Sequence, residues 1–131
     1  MTMLHRASQF SSLIILYAIF SLSSLMLISE GIEHIVGDSN GWELFTNYTN
    51  WTQGREFHVG DVLVFNYASD EHNVIQVNST AYANCGRDNY TSIYTKGNDT
   101  ISISEVGELW FICGVGDHCE NGQKLNINVA P

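Results

Sequence analysis

Phe111-Ile112-Cys113-Gly114-Val115-Gly116-Asp117-His118-Cys119-Glu120-Asn121-Gly122-Gln123-Lys124-Leu125 says more than any other part of this 131-residue chain. Apolar residues run up to Cys113, two glycines allow a sharp turn, and Lys124-Leu125 opens another β-rich run. The pattern predicts strand, tight loop, strand. Cys113, His118 and Gln123 follow one another at five-residue intervals. A thiolate, an imidazole and an amide oxygen on one such loop can all turn toward a single ion. A second imidazole completes His₂Cys with a weak axial ligand, the donor set of a type 1 copper site. His72, in Asp70-Glu71-His72-Asn73-Val74, is the candidate.

Outward from this loop, short β-rich runs recur between turn signals, and helical periodicity is scarce. Strands are expected at Glu33–Val36, Val62–Tyr67, His72–Val77, Thr100–Ser104, Glu108–Cys113 and Lys124–Val129. His72–Val77 carries apolar residues on both faces, which predicts a strand covered on both sides near Val74 and Ile75. In the last strand Leu125, Ile127 and Val129 are expected to face inward. Short helical turns are expected near Asn47–Gln53 and Thr80–Cys85. Regular short strands in a chain of this size make an all-β sandwich or small barrel.

The first thirty residues read differently. Arg6 gives a short positive region, Phe10 to Ile28 is apolar and uncharged, and Ser29-Glu30-Gly31 offers small residues before a cleavage point. This is the layout of a secretory signal peptide over residues 1–31, ahead of one domain over residues 32–131. Membrane association is expected only if that segment stays uncleaved. The expected location is secreted, in the extracellular or apoplastic space or at the cell surface. Five Asn-x-Ser/Thr sequons, at Asn47, Asn50, Asn78, Asn89 and Asn98, agree with secretion and place their segments at the surface. Residues 32–131 hold four basic and thirteen acidic side chains, a formal charge of −9. Such a domain is not expected to bind nucleic acid. Along the sequence the acids are scattered, so solubility explains them better than steering of a cationic partner.

Three cysteines, Cys85, Cys113 and Cys119, allow three pairings. If Cys113 serves a metal as thiolate it stays free, and Cys85 pairs with Cys119. That loop of roughly 35 residues is worth roughly 4 kcal/mol on chain entropy. It would also clamp the neighbour of His118. The rival Cys113–Cys119 bridge would leave Cys85 as a stray thiol and destroy the site. Cys85–Cys119 is preferred because it explains the odd cysteine.

These features together carry a family resemblance. His34-Ile35-Val36-Gly37 is followed by Gly41-Trp42, then Phe57-x-Val59-Gly60-Asp61 and Leu63-Val64-Phe65. His72-Asn73-Val74, Tyr82-x-x-Cys85, Gly97-Asn98-Asp99-Thr100 and the closing loop complete the set. Over nearly all of residues 32–131 the chain resembles the phytocyanins, plant proteins of the cupredoxin superfamily. The resemblance implies a two-sheet Greek-key β-sandwich binding one copper ion through His72, Cys113 and His118, with a Cys85–Cys119 disulfide. The axial position is methionine in plantacyanins and uclacyanins, and glutamine in stellacyanins, which Gln123 resembles. Many relatives continue into a proline-rich tail and a hydrophobic anchor signal. This sequence stops at Ala130-Pro131, so no such anchor is expected from it.

The expected function is that of a secreted, monomeric one-electron carrier, not an enzyme, serving a small redox molecule or a protein. The alternatives are a glycosylated cell-surface or cell-wall interaction module and a copper buffer. His34 and His58 are expected to be surface residues, and Trp42, Trp51 and Trp110 core or half-buried ones. A zinc site from Cys85, Cys113, His118 and Cys119 fits poorly, because His118 and Cys119 are adjacent.

Overall fold

The computed structural model describes residues 12–18 and 30–131. The expected signal segment lies largely outside the described residues. Of it, residues 12–18 form a helix, α1, with exposed side chains. Among the described residues, no helix is long and apolar enough to cross a membrane.

Among the described residues, eight strands form two sheets. One holds β1 (Glu33–Ile35), β3 (Val62–Asn66) and β6 (Asn98–Ser102) in the order β1-β3-β6. The other holds β2 (Phe57–His58), β4 (Val74–Val77), β5 (Ser92–Tyr94), β7 (Gly107–Ile112) and β8 (Lys124–Ala130) in the order β2-β8-β7-β4-β5. β1 runs parallel to β3 and β2 parallel to β8, while the remaining pairs are antiparallel. Two short helices, α2 (Tyr48–Thr52) and α3 (Ser79–Asn84), sit where helical turns were expected. Each starts on a side-chain cap: Asn47 accepts from Asn50 N and Asn78 accepts from Ala81 N.

Strand alternation decides which side chains enter the core. Leu63 and Phe65 of one sheet belong to one apolar cluster with Phe111, Leu125, Ile127 and Val129 of the other. All six are at most 2 % exposed. Phe65 packs on Phe111 with ring centroids 5.3 Å apart and on Trp42 at 5.2 Å. Full burial of a side chain of this size stabilises by about 1.5–3 kcal/mol. A second cluster forms from Ile75, Val77 and Ile112 with Ala81, Cys85 and Cys119. β4 is therefore covered on both sides, as its two apolar faces predict. Val74 belongs to the first cluster and Ile75 to the second.

The structure departs from the expectations in several places, among them β6, which spans Asn98–Ser102 and not Thr100–Ser104. β2 and β5 are too short for a periodic signal, with two and three residues, and escape a pattern reading. His72 precedes β4 in a loop, its N–H bonded to Ala68 O at 3.0 Å. His34, expected at the surface, is 6 % exposed. Its Nε2 lies 2.8 Å from Asp61 Oδ2, and its ring packs on Phe57 at 4.7 Å. His58 does remain partly exposed, and Trp42, Trp51 and Trp110 are buried or half-buried.

Asp61 joins the segment entering β1 to β2. Besides His34, it accepts hydrogen bonds from Ile32 N at 2.8 Å and His58 N at 3.0 Å. Burial opposes its ionisation, but the bonds from His34, Ile32 and His58 outweigh that cost and hold the carboxyl below its ordinary value of 3.8. A depressed carboxylate stabilises fully above its unfolded value and loses that contribution as pH falls through the lower folded value. Asp61→Ala is therefore expected to cost roughly 3 kcal/mol in denaturant unfolding at pH 7. The gap to the parent should narrow as the pH drops below 3.8. A loss under 0.5 kcal/mol at pH 7, on the order of an ordinary surface substitution, would contradict this role.

Candidate metal centre

The loop between β7 and β8 begins at Cys113, which leaves β7 inside the first apolar cluster and is fully buried. It is a free thiol. Cys113 N donates to Gln123 O at 3.0 Å, and Gln123 N donates to His118 O at 2.9 Å. The loop is thus closed on itself by backbone bonds among the three residues that sequence spacing singles out. Gly116 takes a positive φ of 51°, a conformation that suits glycine. Gly114 instead lets neighbouring side chains pack close to the loop. A Cβ there would sit 2.3 Å from Ile75 Cδ1 and 3.2 Å from Asn73 Oδ1.

Asn73 joins the second imidazole to this loop. Its Oδ1 accepts from Gly114 N at 2.6 Å, and its carbonyl accepts from Trp42 Nε1 at 2.9 Å. His72 is held beside it, 9 % exposed. The inward-facing atoms are the two Nδ1 nitrogens, 3.1 Å apart. Cys113 Sγ lies 3.5 Å from His118 Nδ1 and 3.9 Å from His72 Nδ1. Donors bound at about 2.0–2.3 Å to one ion stand about 3–4 Å from each other, so these separations suit a shared metal. Burial, and then the neighbouring His118, push the His72 imidazole below its ordinary value. The neutral form, which ligates, is thereby favoured. Its other nitrogen, Nε2, faces outward, 3.9 Å from Glu71 Oε2. Among the described residues, His72, Cys113 and His118 are the group of His, Cys and acidic side chains able to share an ion.

Gln123 supplies an independent sign of a missing partner. It is fully buried, yet neither Oε1 nor Nε2 has a hydrogen-bond partner. An unsatisfied buried polar group costs about 1–3 kcal/mol. The Gln123 oxygen is a candidate weak donor on the same loop, and the thiolate and imidazoles suit copper among the transition metals.

Outside the ligands, two restraints act on the loop. Cys85 and Cys119 form a disulfide, which fixes the residue after His118 and closes off the zinc alternative. Arg87, which sequence reading passed over, clamps the loop from the solvent side. Its Nε donates to Gly114 O at 3.0 Å and its Nη2 to Gly116 O at 2.6 Å. Glu120 holds the same guanidinium at 3.0 Å. No local motif marks Arg87; only its position two residues after a bridged cysteine hints at a place beside the loop.

A buried thiol and two imidazoles at one end of a two-sheet β-sandwich define a single-domain β protein with a mononuclear metal centre. Residues 42–123 match the family model described as a plastocyanin-like domain. The chain belongs to that family and, within it, to the phytocyanins. It is 43 % identical over 114 residues to blue copper protein 1a of Medicago truncatula, covering 85 % of this chain and 71 % of that one. It is 40 % identical over 102 residues to stellacyanin of Toxicodendron vernicifluum, covering 74 % and 95 %. The solved structure of cucumber stellacyanin superposes with a TM-score of 0.70 at 36 % identity, covering 77 % of this chain and 96 % of that one.

Arg87→Gln removes the outer clamp while leaving every ligand in place. The expected result is at least a several-fold faster loss of metal to a chelator, with little change in the thermal midpoint of the metal-free protein. Equal release rates would show that the disulfide and Asn73 suffice to hold the loop.

Proposed function

We propose that this protein is a secreted type 1 copper protein that carries one electron at a time. The observation that carries the reading is the convergence of Cys113 Sγ with His72 and His118 Nδ1, on a loop that also carries the partnerless Gln123 amide. His72, Cys113 and His118 would hold the ion, with Gln123 in the axial place. Bound there, copper supplies a couple between Cu(I) and Cu(II).

The residues around the site serve that couple in two ways. Cys113 is buried in the apolar cluster, which excludes water from the thiolate. The backbone bonds of Gln123, the Asn73–Gly114 bond and the disulfide hold the donors in place, so a change of charge at the site moves little. His118 is only partly buried and, with His72, lines an open groove. That edge offers the shortest way for an electron to enter. The role is that of a carrier, not an enzyme, because ligation occupies the cysteine and both histidines that could act as nucleophile or base.

The signal-like residues 1–31 and the sequons support secretion. Asn47, Asn50, Asn78, Asn89 and Asn98 are all exposed. At Asn47 and Asn78 the side-chain oxygen caps a helix, while the amide nitrogen, where a glycan attaches, makes no part of the cap.

Copper-loaded protein should show an intense thiolate-to-copper absorption in the visible, and Cys113→Ser should abolish it. Survival of the band in that variant would mean a wrong ligand. Gln123→Met replaces a hard oxygen, which favours Cu(II), by a soft thioether. The reduction potential should therefore rise, and an unchanged potential would count against axial ligation by Gln123.

A further inference from the structure

Three of the thirteen acids that look scattered along residues 32–131 share one place in space. Glu43, Asp70 and Glu71 come together on one groove of about 440 Å³, whose other lining residues are Leu44, Phe45, Val115, His72 and His118. The groove thus has three carboxylates, three apolar side chains and the outer edges of both imidazoles. No Lys or Arg lines it. The basic side chains of the domain are engaged elsewhere: Arg55 with Asp38, Arg87 with Glu120 and the ligand loop, Lys124 with Tyr82 O. The fourth, Lys96, is not part of the groove.

Phe45 is the second feature of this face. It is 90 % exposed and borders both this groove and a neighbouring one of about 390 Å³, lined in part by Tyr82 and Lys124. A bare aromatic ring between two hollows is of the kind enriched at protein interfaces. The groove is too open to enclose a small molecule, whose binding relies on burying most of its surface. Rim carboxylates set association rate and salt dependence, while a central aromatic sets the lifetime of the complex.

We infer that the groove over His72 and His118 is the docking face for a basic redox protein, steered by Glu43, Asp70 and Glu71 and anchored by Phe45. The redox part of this inference rests on the copper reading above. In the encounter one electron leaves the reduced site and the partner's oxidised centre gains it, with no proton or bond exchanged. The docking part rests on surface charge and shape alone and holds for the metal-free chain.

The probe is cytochrome c, a basic redox protein, added to the metal-free ¹⁵N-labelled chain at low ionic strength and followed by amide shifts. The expected result is shifts confined to residues 43–45, 70–72 and 115–118, lost in 200 mM salt, on the order of the screening that a Debye length below 10 Å brings. The triple variant Glu43→Gln, Asp70→Asn, Glu71→Gln should weaken binding about tenfold or more. Phe45→Ala, at a site with almost no packing to lose, should weaken it severalfold. Binding by the triple variant within twofold of the parent overturns the inference, as do shifts centred elsewhere. Equal affinity for the small cation tris(phenanthroline)cobalt(III) overturns the commitment to a protein. Stopped-flow oxidation of the reduced, copper-loaded protein by ferricytochrome c should show the same order of variants. Absence of any visible copper band would defeat the carrier reading and leave the shift map to decide the docking face.

Discussion

Two backbone hydrogen bonds, Cys113 N to Gln123 O and Gln123 N to His118 O, are the constraint on which the rest of the structure depends. They hold Cys113, His118 and Gln123 on one closed loop. Everything nearby guards that closure. β7 and β8 pair along Gly107–Ile112 and Lys124–Val129 and deliver the two ends of the loop at a fixed spacing. Asn73 draws in the segment bearing His72, and Trp42 pins the Asn73 carbonyl from the core side. The site is preassembled by the sandwich, and its ligands need no reorganisation to meet.

The cost of that arrangement is visible in the core. A fully buried glutamine with no partner for either side-chain polar atom is a poor way to stabilise a fold. A methionine of similar length would satisfy the packing at less cost. The unpartnered Gln123 amide is a local cost that the two sheets around it offset. The same logic explains the one free thiol, which is buried where oxidation and stray disulfide exchange cannot reach it.

Much of this was legible in the sequence because the relevant signals are local or arithmetic. Five-residue spacing exposes Cys113, His118 and Gln123, and an odd cysteine count suggests the Cys85–Cys119 bridge. Alternation in Lys124–Ala130 reveals its inward face, and two apolar faces in Val74–Val77 reveal a doubly covered strand. What stayed hidden depends on neighbours distant in the chain. His34 is ordinary until Asp61, 27 residues later, buries against it. Arg87 finds carbonyls 27 and 29 residues away, with no motif to announce them. Glu43 stands far in sequence from Asp70 and Glu71, so a linear count of charge sees no cluster where the fold makes one.

The central claim is that the sandwich holds one copper ion in a site already built by these residues. Paired crystal structures of the copper-loaded protein, oxidised and reduced, test it most directly. One ion should be bound by Cys113 Sγ and by Nδ1 of His72 and His118, with the Gln123 side-chain oxygen turned toward it. The ligand loop should be unchanged between the two states. An ion bound elsewhere, a Gln123 amide turned away from it, or a loop that rearranges on reduction would contradict the account.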